Sequence, residues 1–311
     1  MLLTVVSVYL AGCATRPVAP VSQFEDLAGA ITVPYQISDS GRLLVDVSIN
    51  GGPARPMSVD TGATVSVIYG DFAAQSNLTV SDRTRFVRGL VAQGDRPVIK
   101  DVEFQIGGKT ERLDEVVMLA TPSIQDEAIG LLGGDILRRY TVVFNRETLR
   151  VSFIPNGQTD RSAFSGWTRI PLRRLTQTPA DTGLYFAVTA LDGDRIPVLI
   201  DTGSNLNFIN WKLATLDESI RRLERRLIRN GTLQGALDST SATLETTFYD
   251  LKLGGQYWDE VPVIVTGLGG LADIAPTDKP FMVAGANLFA PHTLALDLAG
   301  LMLYLHPETG L

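Results

Sequence analysis

The chain has 311 residues, of which 45% are hydrophobic and 20% charged, a length that suggests one large domain or two of ordinary size. Its net charge of −7 argues against general nucleic-acid binding, because phosphates are neutralised by a basic face. Two histidines, His292 and His306, and a single cysteine, Cys13, are too few for a structural zinc site, so we expect no metal and no cofactor. No Gly-x-Ser-x-Gly motif accompanies the histidines, so hydrolytic chemistry would have to use carboxylates.

The N-terminus begins with an apolar run from Leu2 to Leu10, which meets Leu-Ala-Gly-Cys at residues 10–13. This arrangement resembles a bacterial lipoprotein signal, in which residues 1–12 are removed and Cys13 is acylated. Residues 13–30, with two prolines, would then form a flexible tether. No Lys or Arg precedes the apolar run, which departs from that pattern. The alternative is a buried N-terminal strand with a chance cysteine.

Beyond the N-terminus, short runs of Val, Ile, Thr and Leu separated by Gly, Asn or Asp predict a protein of many β-strands. The chain also repeats itself. Three stretches of the first half align with three of the second: 43–68 with 184–209, 101–119 with 247–265, and 130–145 with 282–297. We therefore predict two β-rich lobes, residues 31–155 and 167–308, joined by a polar linker at 156–166.

Asp-Thr-Gly occurs three times, and the repeat separates the copies. Asp60 and Asp201 align, and each follows an extended apolar segment. Asp181 instead follows Thr-Pro-Ala and precedes a predicted strand, at the position of Ser40 in the first half. Asp-x-Gly is common turn chemistry, because Asp bonds to local backbone and Gly accepts a positive φ. Asp181 is therefore interpreted as a turn residue.

A pseudo-two-fold arrangement of the lobes would bring the carboxylates of Asp60 and Asp201 together. Glycine allows the backbones of the two loops to approach closely, and the threonine hydroxyls could bond across from loop to loop. Two carboxylates within ~3 Å cannot both ionise, so they would share one proton. The ionised member could activate a water while the protonated member polarises a carbonyl, which is general acid–base catalysis.

VDTGAT and IDTGSN, each followed by an apolar-Gly-x-Asp/Asn-apolar segment (LLGGDIL and VAGANLF), resemble the aspartic peptidases. The resemblance is closest to the retropepsin-like branch found in bacteria, with two copies fused in one chain. It implies an all-β fold with two pseudo-symmetric lobes and the active site between them. The residues that it assigns are the dyad Asp60 and Asp201, the supporting loop residues Thr61, Gly62, Thr202, Gly203 and Ser204, and the packing segments with Gly133, Asp135, Gly285 and Asn287.

The resemblance also implies flaps, which are β-hairpins that close over substrate. The corresponding stretches are residues 86–98 and 231–242. The alternative is a pair of ordinary surface hairpins. Neither stretch carries the tyrosine of pepsin-type flaps, and Gly134 and Ala286 stand where retroviral enzymes usually have arginine.

One difference separates the two predicted active loops. Ala63 follows the first triplet and Ser204 the second. A hydroxyl at that position can donate to the neighbouring carboxylate and favour its charged form. The sequence therefore predicts that Asp201 is the ionised member of the pair.

Several other features receive structural interpretations. Residues 217–231 have an apolar helical stripe and end in Asn-Gly, so they predict a prominent helix in the second lobe whose arginines face solvent. The Gly-Gly pairs at 107–108 and 254–255 predict hairpin turns. We expect the tryptophans at 167, 211 and 258 to lie in the core or line a subsite, and both histidines to be structural.

The sequence as a whole predicts a monomeric aspartic endopeptidase of the bacterial cell envelope, anchored to the membrane by a lipid at Cys13 and facing the periplasm. Its partner would be a polypeptide substrate in extended conformation, with no nucleic acid. One alternative is a catalytically inactive peptide- or protein-binding lipoprotein on the same fold. A glycosidase also uses two carboxylates, but its division of roles does not suit a symmetric repeat.

Overall fold

The computed structural model describes residues 18–89, 93–122, 127–174, 183–191, 194–216, 228–234, 240–248, 250–272 and 278–307. These residues form mostly β-strands with a few short helices, arranged in two lobes, so the predicted all-β fold class is confirmed. Among them, no helix is both long and apolar enough to span a membrane. Cys13, Asp181 and residues 217–227 of the predicted helix lie outside the described residues.

The strands of the first half are β1 (Ile31–Ile37), β2 (Leu43–Ile49), β3 (Arg55–Val59), β4 (Val67–Tyr69), β5 (Val80–Arg88), β6 (Gln93–Ile106), β7 (Lys109–Leu119), β8 (Gly130–Leu132), β9 (Tyr140–Asn145) and β10 (Arg150–Pro155). Those of the second half are β11 (Thr168–Pro171), β12 (Arg173–Arg174), β13 (Tyr185–Leu191), β14 (Asp194–Asp201), β15 (Phe208–Ile209), β16 (Ile228–Gln234), β17 (Thr240–Phe248), β18 (Leu251–Leu253), β19 (Gln256–Trp258), β20 (Val261–Val265), β21 (Met282–Gly285), β22 (Leu294–Asp297) and β23 (Met302–Leu305). The short helices are α1 (Ser22–Glu25), α2 (Gly70–Gln75), α3 (Gly134–Leu137), α4 (Trp211–Leu216) and α5 (Ala286–Phe289), with 3₁₀ turns at Arg161–Phe164 and Gly269–Leu271.

One sheet crosses from one half of the chain to the other, in the order β11-β23-β22-β9-β10-β1. At its centre β22 and β9 are antiparallel, and Val143 pairs with Ala295. These two residues occupy the same position in the sequence alignment of the halves. A two-fold axis through a residue pair makes equivalent strands antiparallel and places equivalent residues opposite each other, as Val143 and Ala295 are. The order of the strands in this sheet is symmetric about the same pair.

The crossing sheet is apolar on both faces, because successive residues of a strand point to opposite sides. Val142, Phe144, Leu294 and Leu296 face the main core that fills both lobes. Their neighbours Val143 and Ala295 face a second cluster on the opposite side, together with Phe24, Phe164, Trp167 and Tyr304. The sheet is therefore buried between the lobes and an outer aromatic layer.

The outer layer is built from the predicted tether and linker, so residues 18–30 are packed where a flexible tether was expected. Phe24 of α1 stacks on Phe164, with ring centroids 4.9 Å apart. The Trp167 indole nitrogen donates to the carbonyl of Ala19 at 2.9 Å, and the Ala19 N–H donates to the carbonyl of Ser165 at 2.8 Å. The burial of these aromatic rings is a sufficient reason for the segment to order against the sheet.

The predicted helix at 217–231 is wrong in its last four residues. Residues 228–231 belong to β16, which pairs with β17 as an antiparallel hairpin. The backbone partners that β17 provides override the local helix propensity and the Asn-Gly stop signal. The described helix nearest in the chain is α4, which ends at Leu216.

Both Gly-Gly turns are confirmed. Gly107 and Gly108 connect β6 to β7 with φ values of +52° and +88°. Gly254 connects β18 to β19 with a φ of +60°, and an added Cβ there would collide with the carbonyl of Arg169. Glycine is therefore required at these turns by the backbone conformation.

The tryptophans differ in their surroundings. Trp167 is buried, and the His306 ring packs edge-on against it. Trp258 packs partly buried against the main core beside His292. Trp211 is 48% exposed, so it does not lie in the core, and a place in the lining of a subsite stays a prediction for this residue.

The aromatic layer predicts a large effect for Phe164→Ala. The ring is 1% exposed and stacks on Phe24 and Tyr304, so its removal should lower the free energy of unfolding by about 3–5 kcal/mol in urea titrations. Phe86→Ala is the control, because that ring is 47% exposed and its loss should change stability by less than about 0.5 kcal/mol. Equal losses in both variants would contradict a stabilising role for the layer.

Candidate active site

Asp60 and Asp201 lie at the ends of two buried strands, at the boundary between the lobes. β3 leads to Asp60 and pairs in parallel with β8, while β14 ends at Asp201 and pairs in parallel with β21. The residues before each aspartate, Val59 and Ile200, are almost completely buried. Each carboxylate therefore stands at the end of a strand that core packing holds in place.

The two active loops are joined by reciprocal hydrogen bonds of their threonines. The Thr61 N–H donates to Thr202 Oγ1 at 3.1 Å, and the Thr202 N–H donates to Thr61 Oγ1 at the same distance. Thr61 Oγ1 in turn donates to the carbonyl of Ile200, and Thr202 Oγ1 to that of Val59, both at 2.7 Å. Each hydroxyl thus links one loop to the strand that carries the opposite aspartate.

Glycine at positions 62 and 203 leaves room for the opposing carboxyl group. A Cβ on Gly62 would lie 2.5 Å from Asp201 Oδ1, and a Cβ on Gly203 would lie closer still to Asp60 Oδ2. A side chain at either position would push the loops apart. The third residue of each triplet is therefore required by the approach of the lobes.

The two carboxyl groups are buried and in hydrogen-bond contact with each other. Asp60 and Asp201 each expose 7% of their surface. Asp60 Oδ1 accepts from the N–H groups of Gly62 at 2.8 Å and Ala63 at 2.9 Å. Asp201 Oδ1 accepts from Gly203 and Ser204, both at 3.1 Å.

These surroundings shift the pKa values of the two carboxyl groups. Burial raises the pKa of both carboxyl groups. For Asp201, burial and then the charge of Asp60 raise the pKa to about 8. For Asp60, the increase in pKa is opposed by the Ala63 N–H and by the charge of Arg42. The charge of Asp60 thus favours a proton on Asp201, and the two carboxyl groups titrate as a pair.

The reason given for an ionised Asp201 is not found, because the Ser204 hydroxyl does not reach a carboxylate. Its Oγ donates to the carbonyl of Leu206 at 3.0 Å and accepts from the Leu206 N–H at 3.3 Å. The hydroxyl closes a local turn instead. The shorter backbone hydrogen bonds belong to Asp60, and they stabilise the charge on that side.

Behind the first loop, Ser66 and Asp135 form a compact polar group. Ser66 donates to the Asp135 carboxylate from its N–H at 2.9 Å and from its Oγ at 2.6 Å. Its Oγ also accepts from the Gly133 N–H at 3.1 Å. The next amide, of Gly134, donates to the carbonyl of Ala63 at 2.9 Å. The segment of Gly133 and Asp135 therefore supports the Asp60 loop directly.

The second loop is supported by a different residue. Asn207, which aligns with Ser66, accepts from the Gly285 N–H at 2.9 Å and donates to the carbonyl of Pro262 at 3.2 Å. The Ala286 N–H donates to the carbonyl of Ser204 at 2.6 Å. Asn287 aligns with Asp135, but its Oδ1 has no hydrogen-bond partner among the described residues. Asn207 thus accepts from Gly285 as Ser66 accepts from Gly133, whereas no described hydrogen bond of the second half reproduces the contact of Ser66 with Asp135.

Sequence reasoning missed a polar group that supports α3. Glu111 is 8% exposed and accepts hydrogen bonds from the Tyr140 hydroxyl and the Arg139 guanidinium. Arg139 Nε also donates to the carbonyl of Asp135 at 3.0 Å. Burial and the neighbouring Glu111 raise the pKa of Tyr140. Glu111 lies in the hairpin of β6 and β7, whereas Tyr140 lies on β9, so only a tertiary contact joins them. The sequence around Glu111 is typical of an ordinary surface strand and gives no signal of this contact.

The described parts of both predicted flap stretches lie in hairpins, formed by β5 with β6 and by β16 with β17, while residues 90–92 and 235–239 lie outside the described residues. β5 and β16 are edge strands of their sheets among the described residues. In the first hairpin, Val87 packs against an apolar cluster that also contacts Ala63 of the Asp60 loop. We call this the first apolar cluster; its members are Leu44, Val67, Tyr69, Val98, Val117, Leu119, Ala128 and Leu131. Closure of either hairpin over a substrate stays a prediction.

Within the described ranges, no three His, Cys, Asp or Glu side chains come together as metal ligands would. The acidic groups of the site are the two carboxyls of Asp60 and Asp201. A pair that shares one proton provides a general base and a general acid a few ångströms apart.

Comparisons with known proteins agree with this geometry. Residues 45–139, less than half of the chain, match the family described as gag-polyprotein putative aspartyl protease. The aspartic proteinase from Irpex lacteus is similar in structure, with a TM-score of 0.54 and 14% identity over 90% of this chain and 98% of that one. Basic 7S globulin from soybean matches with a TM-score of 0.46 and 11% identity over 90% and 95% of the two chains. No curated protein matches the sequence significantly. At these identities, the Irpex lacteus match shows the fold alone.

The raised pKa of Asp201 predicts a pH-dependent gain in stability for Asp201→Asn. Folding raises this pKa from 3.8 to about 8, so the folded chain binds an additional proton between these values. Stability should therefore fall as pH rises through this window, by up to about 1.4 kcal/mol per pH unit. Asparagine needs no proton, so the variant should be more stable than the wild type, by a margin that grows from pH 5 to pH 8 in urea titrations.

Asp39→Asn, at an exposed turn, controls for the loss of a carboxylate and should show no comparable gain. A constant difference between Asp201→Asn and the wild type across this pH range would contradict the assignment of the proton to Asp201.

Proposed function

We propose that this protein is an aspartic endopeptidase, which hydrolyses peptide bonds by means of a water activated between Asp60 and Asp201. The observation that carries the proposal is the contact between two buried carboxyl groups, in which the charge of Asp60 raises the pKa of Asp201. The match of residues 45–139 to an aspartyl protease family supports it. The similarity in fold to an aspartic proteinase is consistent with it.

In the proposed mechanism, the ionised Asp60 takes a proton from the attacking water, while the protonated Asp201 donates its proton to the carbonyl oxygen of the scissile bond. A tetrahedral diol forms, and no bond to the enzyme is made. Asp60 then returns its proton to the leaving amine nitrogen, and Asp201 recovers its proton as the new carboxyl group forms. The pair ends with one proton, as it began.

The arrangement of the loops suits this chemistry because little has to move. The reciprocal threonine bonds hold the aspartates against each other before any substrate arrives. Backbone N–H groups from the following residues stabilise the charge on Asp60. Preorganised dipoles of this kind are the largest source of rate enhancement in many enzymes.

The substrate in this proposal is a polypeptide in extended conformation. β5 and β16 are edge strands that present backbone groups for pairing. A peptide strand that adds to such an edge gains main-chain hydrogen bonds irrespective of its sequence. Because Asp60 and Asp201 belong to one chain, a monomer would be sufficient for activity.

We also propose that the lobes, residues 31–155 and 167–308 with the linker at 156–166, are fused copies of one unit of the bacterial retropepsin-like branch. The pairing of aligned residues Val143 and Ala295 supports this proposal. The reciprocal bonds of Thr61 and Thr202, which also align, support it independently.

The dyad is tested by the cleavage of a random peptide library by Asp60→Asn and Asp201→Asn. Each substitution removes a group that transfers a proton, so the kcat/KM of the best substrates should fall by at least about 10³-fold. Asp181→Asn is a matched control, because it changes the same residue type in the third Asp-Thr-Gly triplet and should leave kcat/KM unchanged. Equal activity in the wild type and both dyad variants would rule out the mechanism.

The alternative function is a catalytically inactive protein that binds peptides on the same fold. It predicts that the wild type cleaves no member of the library yet binds some of them. The buried shared proton argues against it, because two carboxyls that serve only structure would be replaced at a gain in stability.

The proposed location is the cell envelope, with the chain anchored in the membrane by a lipid on Cys13 and facing the periplasm. The Leu-Ala-Gly-Cys motif after an apolar run supports this proposal. The packing of residues 18–30 onto the body would leave only a short span between the lipid and the folded protein.

Cys13→Ser tests the anchor in a bacterial host fed with an alkyne-labelled fatty acid. The wild type should carry the label and sediment with membranes, whereas the variant should lose the label. Asp60→Asn is the control. It should keep the fatty-acid label and sediment with membranes, which would show that membrane association does not depend on peptidase activity. A labelled Cys13→Ser protein would contradict the proposal.

A further inference from the structure

The first flap hairpin, β5 with β6, has two chemically different faces. In its antiparallel register Arg85 pairs with Arg96, and Val87 with Gly94. Directly opposed residues project to the same side of a sheet, and alternate residues along a strand share a side. Arg85, Arg96 and Val87 therefore lie on one face, and Phe86 and Arg88 on the other.

The face with the arginine pair is the one that packs on the first apolar cluster. Val87 packs against the first apolar cluster, and Val98 is a member of it. Arg96 lies on β6 between Gly94 and Val98, so it projects to the same side as both. Ala63, directly after the Asp60 triplet, contacts the same cluster. The arginine pair thus overlies the apolar surface beside the candidate active site.

Two cations in directly opposed positions repel each other, and no carboxylate relieves this pair among the described residues. Glu115 on the neighbouring strand is engaged by Arg83 at 2.6 Å. Arg96 Nη1 donates to the carbonyl of Asp95 at 2.9 Å. Among the described residues, neither Arg85 nor Arg96 forms an ion pair with a carboxylate.

We propose that Arg85 and Arg96 recognise an acidic side chain of the polypeptide substrate, so that cleavage favours Asp or Glu within a few residues of the scissile bond. This inference rests on the proposed function. A carboxylate above an apolar surface is costly unless it is paired, and guanidinium groups bind it with two parallel hydrogen bonds. The chain carries a net charge of −7 and repels acidic peptides in general, so the pair supplies the local attraction that selects them.

The opposite face of the hairpin provides a matched control. The Arg88 guanidinium lies 4.8 Å from the centre of the Phe86 ring, so this cation already has a partner. It belongs to the same strand as Arg85 but projects away from the first apolar cluster. Removal of Arg88 changes the net charge by the same amount as removal of Arg85 and leaves the proposed recognition intact.

The test compares peptides that differ only by Glu or Gln at each of four positions on either side of a cleaved bond. At the best position, the wild type should cleave the Glu peptide about tenfold faster in kcat/KM, the factor expected for a charge-assisted hydrogen bond. The Arg85→Gln, Arg96→Gln double variant should bring the Glu-to-Gln ratio close to one. Arg88→Gln should keep it. High salt should reduce the ratio in the wild type, because the pair is partly exposed.

Charge reversal gives a second reading that does not depend on loss of function. Arg85→Glu, Arg96→Glu should invert the preference, so that a Lys peptide is cleaved faster than the matched Gln peptide. A wild-type ratio near one at every position would overturn the inference. The inference would also be overturned if the Arg85→Gln, Arg96→Gln double variant kept the Glu-to-Gln ratio of the wild type. The same holds if Arg88→Gln lowered that ratio as much as the double variant does.

Failure of the proposed function would be distinguishable from failure of this inference. If the wild type cleaves no peptide, fluorescence anisotropy of the same peptides measures binding alone. Tighter binding of Glu than Gln peptides, lost in the double Gln variant, would retain the recognition site while the peptidase proposal fails. Equal binding of both peptides, or none, would reject the recognition site as well.

Discussion

The structure depends on one contact across the lobe boundary, where the loops of Asp60 and Asp201 meet. Burial of two carboxyls is expensive, and it is tolerated here because one of them keeps its proton and donates it to the other. The threonine bonds hold that geometry, since each hydroxyl both accepts an N–H from the opposite loop and donates to the opposite strand. If the lobes shifted apart, the threonine bonds and the shared proton would be lost together.

The rest of the fold keeps the lobes from shifting. The crossing sheet joins β9 to β22 by continuous backbone pairing, and it is covered by the main core on one side and the aromatic layer on the other. Such a sheet cannot slide by one residue without turning its buried side chains to the wrong face. The pairing of Val143 with Ala295 thus belongs to a sheet that joins the two lobes.

Equivalent positions do not have equivalent chemistry in this protein. Ser66 and Asp135 support one loop, whereas Asn207 and the Ala286 N–H support the other, and Asn287 Oδ1 has no hydrogen-bond partner among the described residues. Arg42 acts on Asp60, and its aligned position in the second half is Gly183, which has no charge. The two identical triplets therefore place their carboxyl groups in different electrostatic surroundings. The difference arises from the neighbours of the triplets and not from the triplets themselves.

The sequence by itself determined the fold class, the two Gly-Gly turns and the alignment that singles out Asp60 and Asp201, because strand alternation, turn chemistry and repeats are local patterns. It did not determine the Ser204 contact, the packing of residues 18–30 or the strand at 228–231. Each of these depends on which of several partners a group meets after folding. The Ser204 hydroxyl bonds to the Leu206 backbone, Phe24 stacks on Phe164, and β16 pairs with β17. Only the tertiary structure decides which partner a group meets. The local sequence shows which hydrogen bonds and contacts a side chain can make, but not which partner will be nearest after folding.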